Sequence, residues 1–199
     1  GSAQQVPMDE QHPTEPSHPY GASKLAADRM AMAMNWTYDL PVVVIRSFNT
    51  YGPRQSTRAV VPSAITQALV IGKVWLSNLQ STRDFVHVSD IVAGLVRAAE
   101  VPEAVGQVFN LGTGQELAVW QVGEMVAKAL GCPDMGVVED TSAARPEGAE
   151  VKRLCADSRK AEKLLGWQAK TPVYQGILMT CEWYRQNLHL YAKAGRHLI

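Results

Sequence analysis

The sequence predicts an α/β protein with parallel strands, on three observations. A helix pattern from Pro19 to Asn35 is followed, after a short turn, by the unbroken run Pro41-Val-Val-Val-Ile45. A strand without alternation is characteristic of burial on both faces, as in a parallel sheet. Gln107 to Leu111 is a second such run, and helices and short strands then alternate to about residue 187, the pattern of a layered α/β architecture.

Taken in order, residues 1–19 hold four prolines and no apolar periodicity, which predicts an irregular loop. The first helix opens at Pro19, where a first-turn proline is tolerated, with Ser17 or His18 ahead of it, and carries Leu25, Met30, Met32 and Met34. Val60 to Ile71 is a helix stopped by Gly72. Val74–Leu76 and Asp84–Val86 are short strands, and Asp90–Glu100 is a helix. Val119–Leu130 is an amphipathic helix closed by Gly131, and Gly136–Val138 is a short strand. Asp157 caps a helix running to Leu165 with Gly166 as its stop, and Thr171-Pro172 opens a last helix to about Asn187. The final residues, with Lys193 and Arg196, form a tail.

The 199 residues are 46% hydrophobic and 19% charged, with 19 basic side chains against 19 acidic. Zero net charge without a like-charge run argues against nucleic acid or an anionic membrane as the partner. Apolar stretches end well short of the ~18 residues that span a bilayer, and Gly1 to Glu10 lacks the basic and apolar regions of a signal peptide; a cytoplasmic protein is expected. Cys132, Cys155 and Cys181 are odd in number without C-x-x-C spacing, so they are expected to be reduced and buried, with no metal site. His87, between Val86 and Val88, is expected to be a core or hydrogen-bonded histidine.

The chemistry starts at Tyr20-Gly-Ala-Ser-Lys24. Residues four apart at a helix start share one face, one turn apart. An ammonium beside a phenol favours the phenolate, which makes the tyrosine a proton acceptor near neutral pH. Asn49 and Thr50 follow a buried strand, and carboxyl ends of strands are where open α/β sheets bind ligands. Arg83 and Arg145 offer guanidinium forks that match phosphate oxygens. Arg46, Arg54 and Arg58 are also nearby in sequence, and serve as readily as fold-stabilising or rim charges as they would as ligands.

Four motifs in order, His18-Pro-Tyr-Gly-Ala-Ser-Lys-Leu-Ala-Ala-Asp28, Val44-Ile-Arg-Ser-Phe-Asn-Thr-Tyr-Gly-Pro-Arg54, Arg83-Asp-Phe-Val-His-Val-Ser-Asp90 and Phe109-Asn-Leu-Gly-Thr-Gly114, are joined by Arg145-Pro146 and Leu164-Leu-Gly-Trp167. Together they resemble the extended short-chain dehydrogenases/reductases, and among them the NAD-dependent nucleotide-sugar epimerases and dehydratases. The stretches 51–62 and 145–153 look most like 4,6-dehydratases acting on nucleotide-linked N-acetylhexosamines. The glycine-rich turn that cradles the NAD pyrophosphate in that family has no counterpart here. Gly112-Thr-Gly114 is the only G-x-G and lacks the third glycine.

The resemblance therefore implies the C-terminal part of such an enzyme: the end of a Rossmann-like parallel sheet plus the smaller α/β substrate-binding domain. Residues 1–58 would be the remainder of the NAD-binding domain. Residues 59–187 would be mainly the nucleotide-sugar domain, with segments such as 84–111 returning to the Rossmann sheet, and 188–199 would be a tail. It also implies that Tyr20 and Lys24 are catalytic and that Tyr20, Lys24, Ser47 and Thr50 contact NAD. Asn49, Ala59, Val60, Val74, Trp75, Leu76, Arg83, Asn110 and Arg145 would contact a nucleoside-diphosphate sugar, and the Tyr20 helix would pair with its twin in a homodimer. The reaction implied is 4,6-dehydration, with 4-epimerisation as the alternative. A non-catalytic module keeping the sugar-nucleotide pocket or the dimer face stays open, since the chain by itself would bind NAD weakly and be inactive.

Overall fold

In a computed structural model of the chain, which describes residues 3–142 and 151–191, the elements run α1 (Pro19–Tyr38), β1 (Val44–Ser47), β2 (Asn49–Tyr51), α2 (Val60–Ile71), β3 (Val74–Leu76), β4 (Thr82–Arg83), β5 (Phe85–His87), α3 (Val88–Glu100), β6 (Val108–Leu111), β7 (Leu117–Ala118), α4 (Val119–Ala129), β8 (Val137–Glu139), β9 (Arg153–Leu154), α5 (Arg159–Leu165) and α6 (Val173–Asn187). They belong to two units. Within the described residues, the first comprises 3–50, 82–116 and 151–170, and the second 51–81, 117–142 and 171–191. Among the described residues no helix is long and apolar enough to cross a membrane.

The first unit is built on β1 and β6, paired in parallel with Val44 opposite Val108 and Ser47 opposite Leu111. Its core is Val86, Ile91, Ala98, Ala104, Phe109, Leu111, Ala161, Leu165 and Trp167, with Val43 and Ile45 packed against it. The run 41–45 is not buried on both faces as expected: Val44 alone is buried, and Val43 and Ile45 are half-buried. The α1-facing side of β1 is partly polar, because Arg46 there pairs with Asp28 of α1 at 2.6 Å. The lone indole donor is satisfied within the core, where Trp167 Nε1 donates to the Asp90 carbonyl at 2.8 Å, as buried tryptophans require.

The second unit packs α2, α4 and α6 with the parallel pair β3 and β8, in which Val74 is opposite Val137. Val61, Ile65, Val74, Val122, Val126, Ile177 and Tyr184 are almost wholly buried. Gly72, at φ 72°, ends α2 in the left-handed conformation that glycine adopts without strain.

Several boundaries differ from expectation for local reasons. Helix α3 starts at Val88 rather than Asp90 because His87 is its cap. The cap residue of α5 is Ser158 and not Asp157; Asp157 Oδ1 accepts from the Arg159 N–H one position further along. The strand expected at Asp84 begins at Phe85, because the Asp84 carboxylate is drawn inward. Met30 and Met34 are exposed, and of the three α1 methionines only Met32 is buried. Cys132 is exposed, whereas Cys155 and Cys181 are buried free thiols. Its position just beyond α4, after Gly131, leaves the core behind. The positions 145, 146, 193 and 196 lie outside the described residues.

Candidate active site

Helix α1 is positioned by its own first turn. His18 Nδ1 accepts the Gly21 N–H at 3.0 Å, and Pro19 occupies the first turn, where a missing N–H costs nothing. Tyr20 therefore sits in the first turn of the helix. Lys24 Nζ lies 5.5 Å from the Tyr20 ring centroid, and the Tyr20 side chain is 68% exposed. Five residues separate α1 from β1, so the two run antiparallel, and the Asp28–Arg46 pair sets their register. Tyr20 lies eight residues before Asp28, about 12 Å along the helix axis. That distance carries it past the carboxyl end of β1, the sheet edge where α/β ligands bind.

The same edge carries Ser47, Asn49 and Thr50. Phe48 N–H donates to the Leu111 carbonyl at 2.9 Å and Asn49 N–H to the Asp84 carbonyl at 3.0 Å. Thr50 Oγ1 donates to the Phe48 carbonyl at 3.1 Å. Ser47 is exposed, and Asn49 and Thr50 are half-buried.

Sequence reasoning missed the residue that organises this edge. Asp84 is fully buried, and its carboxylate accepts the N–H groups of Thr113, Gly114 and Ala156 at 2.8, 2.9 and 3.1 Å and the Thr113 hydroxyl at 2.6 Å. Gly112 N–H is taken by Ser158 Oγ at 3.0 Å. All three amides of the Gly112-Thr-Gly114 turn are thus spent internally, so the turn is no phosphate cradle. A signal was present in the sequence: an acidic residue beside a G-x-G turn in a strand-rich context can serve as an anchor as readily as a strand start.

Arg83 precedes this anchor in β4. Its guanidinium donates to the Thr82 carbonyl at 2.8 Å, and β4 pairs in parallel with β9. Thr82 Oγ1 and Arg153 both donate to Glu116, at 2.6 and 2.5 Å. The Arg153 bond leads the causes that hold the Glu116 carboxyl below the ordinary glutamate range.

A second network ties the N-terminal loop to the sheet. His12, buried, accepts the Gln4 N–H at Nε2 (3.0 Å) and donates from Nδ1 to the Pro13 carbonyl (2.9 Å). Glu10 accepts the Asn110 N–H at 2.8 Å on its carboxylate and an Arg46 N–H at 3.1 Å on its carbonyl. Asn110 is itself 2% exposed, and its amide donates to the Met8 carbonyl at 2.9 Å. Arg46 is therefore a fold-stabilising charge. His87 is likewise internal: it caps α3 through the Ser89 N–H, and burial lowers its pKa against the opposing influence of Asp90.

The second unit carries Ala59, Val60, Val74, Trp75 and Leu76. Ala59 is the extended cap residue of α2 and Val60 its first helical residue, both half-buried. Val74 and Leu76 are core side chains. Trp75 is half-buried; its backbone N–H donates to Gln67 Oε1 at 2.8 Å, and Lys73 Nζ sits 6.0 Å from its ring. The first unit thus brings together Tyr20 with Lys24, and Asn49 with the Asp84 anchor beside Arg83. Arg145 lies outside the described residues. No group of three or more metal-ligating side chains occurs among the described residues.

Comparison with known proteins adds three findings. The family described as "GDP-mannose 4,6 dehydratase" matches residues 1–180. Curated relatives include UDP-glucose 4-epimerase of Mycolicibacterium smegmatis, 33% identical over 94% of this chain and 59% of the relative. The dTDP-D-glucose 4,6-dehydratase of Homo sapiens is 34% identical over 92% of this chain and 52% of the relative. The chain spans little more than half the length of these relatives. Similar solved structures include dTDP-glucose 4,6-dehydratase of Bacillus anthracis in complex with NAD (TM-score 0.84, 30% identity, 95% of this chain and 59% of the other). UDP-glucose 4-epimerase of Thermotoga maritima with UDP-glucose is another (TM-score 0.85, 29% identity, 94% and 60%).

Proposed function

Since this chain belongs to the GDP-mannose 4,6-dehydratase family, within the NAD-dependent nucleotide-sugar epimerases and dehydratases of the extended short-chain type, we propose that it forms the C-terminal part of a nucleotide-sugar 4,6-dehydratase. The observation that carries this reading is the exposed Tyr20 phenol with Lys24 one turn below it, in the first turn of α1. The residues present fit the nicotinamide end of NAD, where Tyr20, Lys24, Ser47 and Thr50 would lie along it. They do not fit the pyrophosphate, since the amides of the one G-x-G turn are already spent.

Tyr20 takes the proton of the sugar 4-hydroxyl as carbon 4 is oxidised, and Lys24 supplies the charge that stabilises its phenolate and holds the nicotinamide ribose. Tyr20, Lys24, Ser47 and Thr50 would hold the nicotinamide end of NAD, which would supply hydride-transfer chemistry to the sugar. Once carbon 4 is oxidised, the carbon 5 proton leaves and the 6-hydroxyl departs as water. Asn49 and Arg83, both in the first unit, hold the sugar and the diphosphate. The stretches 51–62 and 145–153 favour an N-acetylhexosamine as the sugar. A 4-epimerase, in which the hydride returns to the opposite face of carbon 4, is favoured by the 33% identity to the M. smegmatis enzyme.

Replacing Tyr20 tests the reading. In the polypeptide that joins these residues to a glycine-rich NAD half, Tyr20→Phe lowers turnover by on the order of 100-fold or more, the usual scale of a lost general base, with substrate affinity little changed. Undiminished turnover would remove Tyr20 from the mechanism. The exposed α1 face that carries Met30, Met34 and Tyr38, spaced four residues apart, supports a homodimer through that helix.

A further inference from the structure

The loop 52–59 connects β2 to α2 in the second unit, and its hydrogen bonds include Arg58 N–H to Ser56 Oγ at 3.4 Å. Gln55 N–H reaches the Gly52 carbonyl at only 3.4 Å, and Ala59 N–H the Ser56 carbonyl at 3.0 Å. The backbone here is also strained: Arg54 has φ 68°, a left-handed conformation that costs a non-glycine residue about 1 kcal/mol or more and persists only where its surroundings over-determine it. Two tyrosines supply that determination. Tyr51, 1% exposed, precedes the loop and donates its hydroxyl to the Val173 carbonyl at 2.8 Å, at the start of α6. Tyr184, wholly buried in α6, donates its hydroxyl to the Gln55 carbonyl, directly after the strained Arg54. Burial pushes the Tyr184 phenol above the ordinary tyrosine range, so it stays a donor at any physiological pH. It packs against the Trp183 and Tyr191 rings at centroid distances of 5.0 Å, which holds the hydroxyl in place.

We infer that Tyr51 and Tyr184 are positioning residues for nucleotide-sugar binding: from α6 they fix the 52–59 loop, and with it Ala59 and Val60 at the α2 N-terminus, in the conformation that meets the ligand. This rests on the proposed function and on the resemblance that gives Ala59 and Val60 to the nucleotide sugar. Neither hydroxyl touches the ligand. They act by removing alternative conformations of this loop, which lowers the ordering cost of binding.

The test uses Tyr184→Phe, which keeps the ring packing and deletes only the hydroxyl, and Thr180→Val as its control. Thr180 is a buried residue of the same helix whose hydroxyl donates to the Gly176 carbonyl at 2.7 Å, within α6. Amide hydrogen exchange over 52–59 and titration with UDP-glucose, UDP-N-acetylglucosamine, dTDP-glucose and GDP-mannose are measured on the chain and both variants. Tyr184→Phe speeds exchange at Arg54 to Arg58 and weakens the tightest-bound sugar nucleotide by roughly 3- to 10-fold, the scale of one net hydrogen bond. Thr180→Val changes neither. Unchanged exchange, unchanged affinity, or an equal loss in Thr180→Val would each overturn the positioning role while leaving the proposed function standing. If the unaltered chain bound none of the four, the proposed function and this inference would fall together.

Discussion

Asp84 shows how one buried side chain can order a sheet edge from within. Its carboxylate satisfies three backbone amides and a hydroxyl from two distant segments, and its carbonyl holds Asn49. Removing it leaves buried donors without acceptors, each costing about 1–3 kcal/mol. Asp84→Ala is therefore expected to lower stability by about 3 kcal/mol or more, read as a shift of the urea unfolding midpoint; a midpoint within error of the parent would contradict the anchoring role. The histidine three residues on gives a pH dependence whose sign follows from burial. His87 has its pKa lowered in the folded chain, so the unfolded chain, near the usual 6.5, takes up the proton first. Its contribution is complete above about pH 6.5 and is lost as pH falls through the lower folded value. In His87→Asn, stability should vary less between pH 7.5 and 5 than in the parent; identical pH profiles would show that His87 is not the group responsible.

At the level of elements, helices were legible wherever their stops were chemical. Gly72 and Gly166 both adopt positive φ, of 72° and 63°, at the expected ends of α2 and α5, and α2 runs over the expected residues. Parallel strands were expected from two apolar runs separated by helices; that β1 pairs with β6 was not. The two-residue strands β4, β7 and β9 were not legible, because pairs of residues carry no periodicity and their pairing is set by segments far away in sequence. In the site, the Tyr20–Lys24 face was legible because helical spacing alone creates it. The Asp84 anchor, and the Glu10, Arg46 and Asn110 network, depend on long-range contacts that spacing does not encode. Helix α3 offers a sharp packing test. A Cβ on Gly94 would collide with Leu111 Cδ1 and stand 3.0 Å from Trp167 Nε1. Gly94→Ala should cost about 1–3 kcal/mol through overpacking, in spite of alanine's better helix propensity. A thermal midpoint at or above the parent's would mean that α3 is free to move away.

For the whole molecule, the proposed function needs a proton-transfer pair on α1 and a diphosphate contact from Arg83, which follows Thr82 in β4 and precedes the Asp84 anchor. A charge-assisted contact to a diphosphate is typically worth about 1.5–3 kcal/mol, so Arg83→Ala should weaken binding by roughly 10- to 150-fold. Arg83→Lys should recover only part of this, because an ammonium cannot present the paired donors of a guanidinium. The loss should follow the diphosphate, appearing with UDP, GDP or dTDP alone and not with the free hexose. The most direct measurement is a calorimetric titration of the parent chain and Arg83→Ala with these three nucleoside diphosphates. The parent should bind at least one of them and the variant bind it at least 10-fold more weakly; equal affinity in the two proteins would remove Arg83 from diphosphate binding.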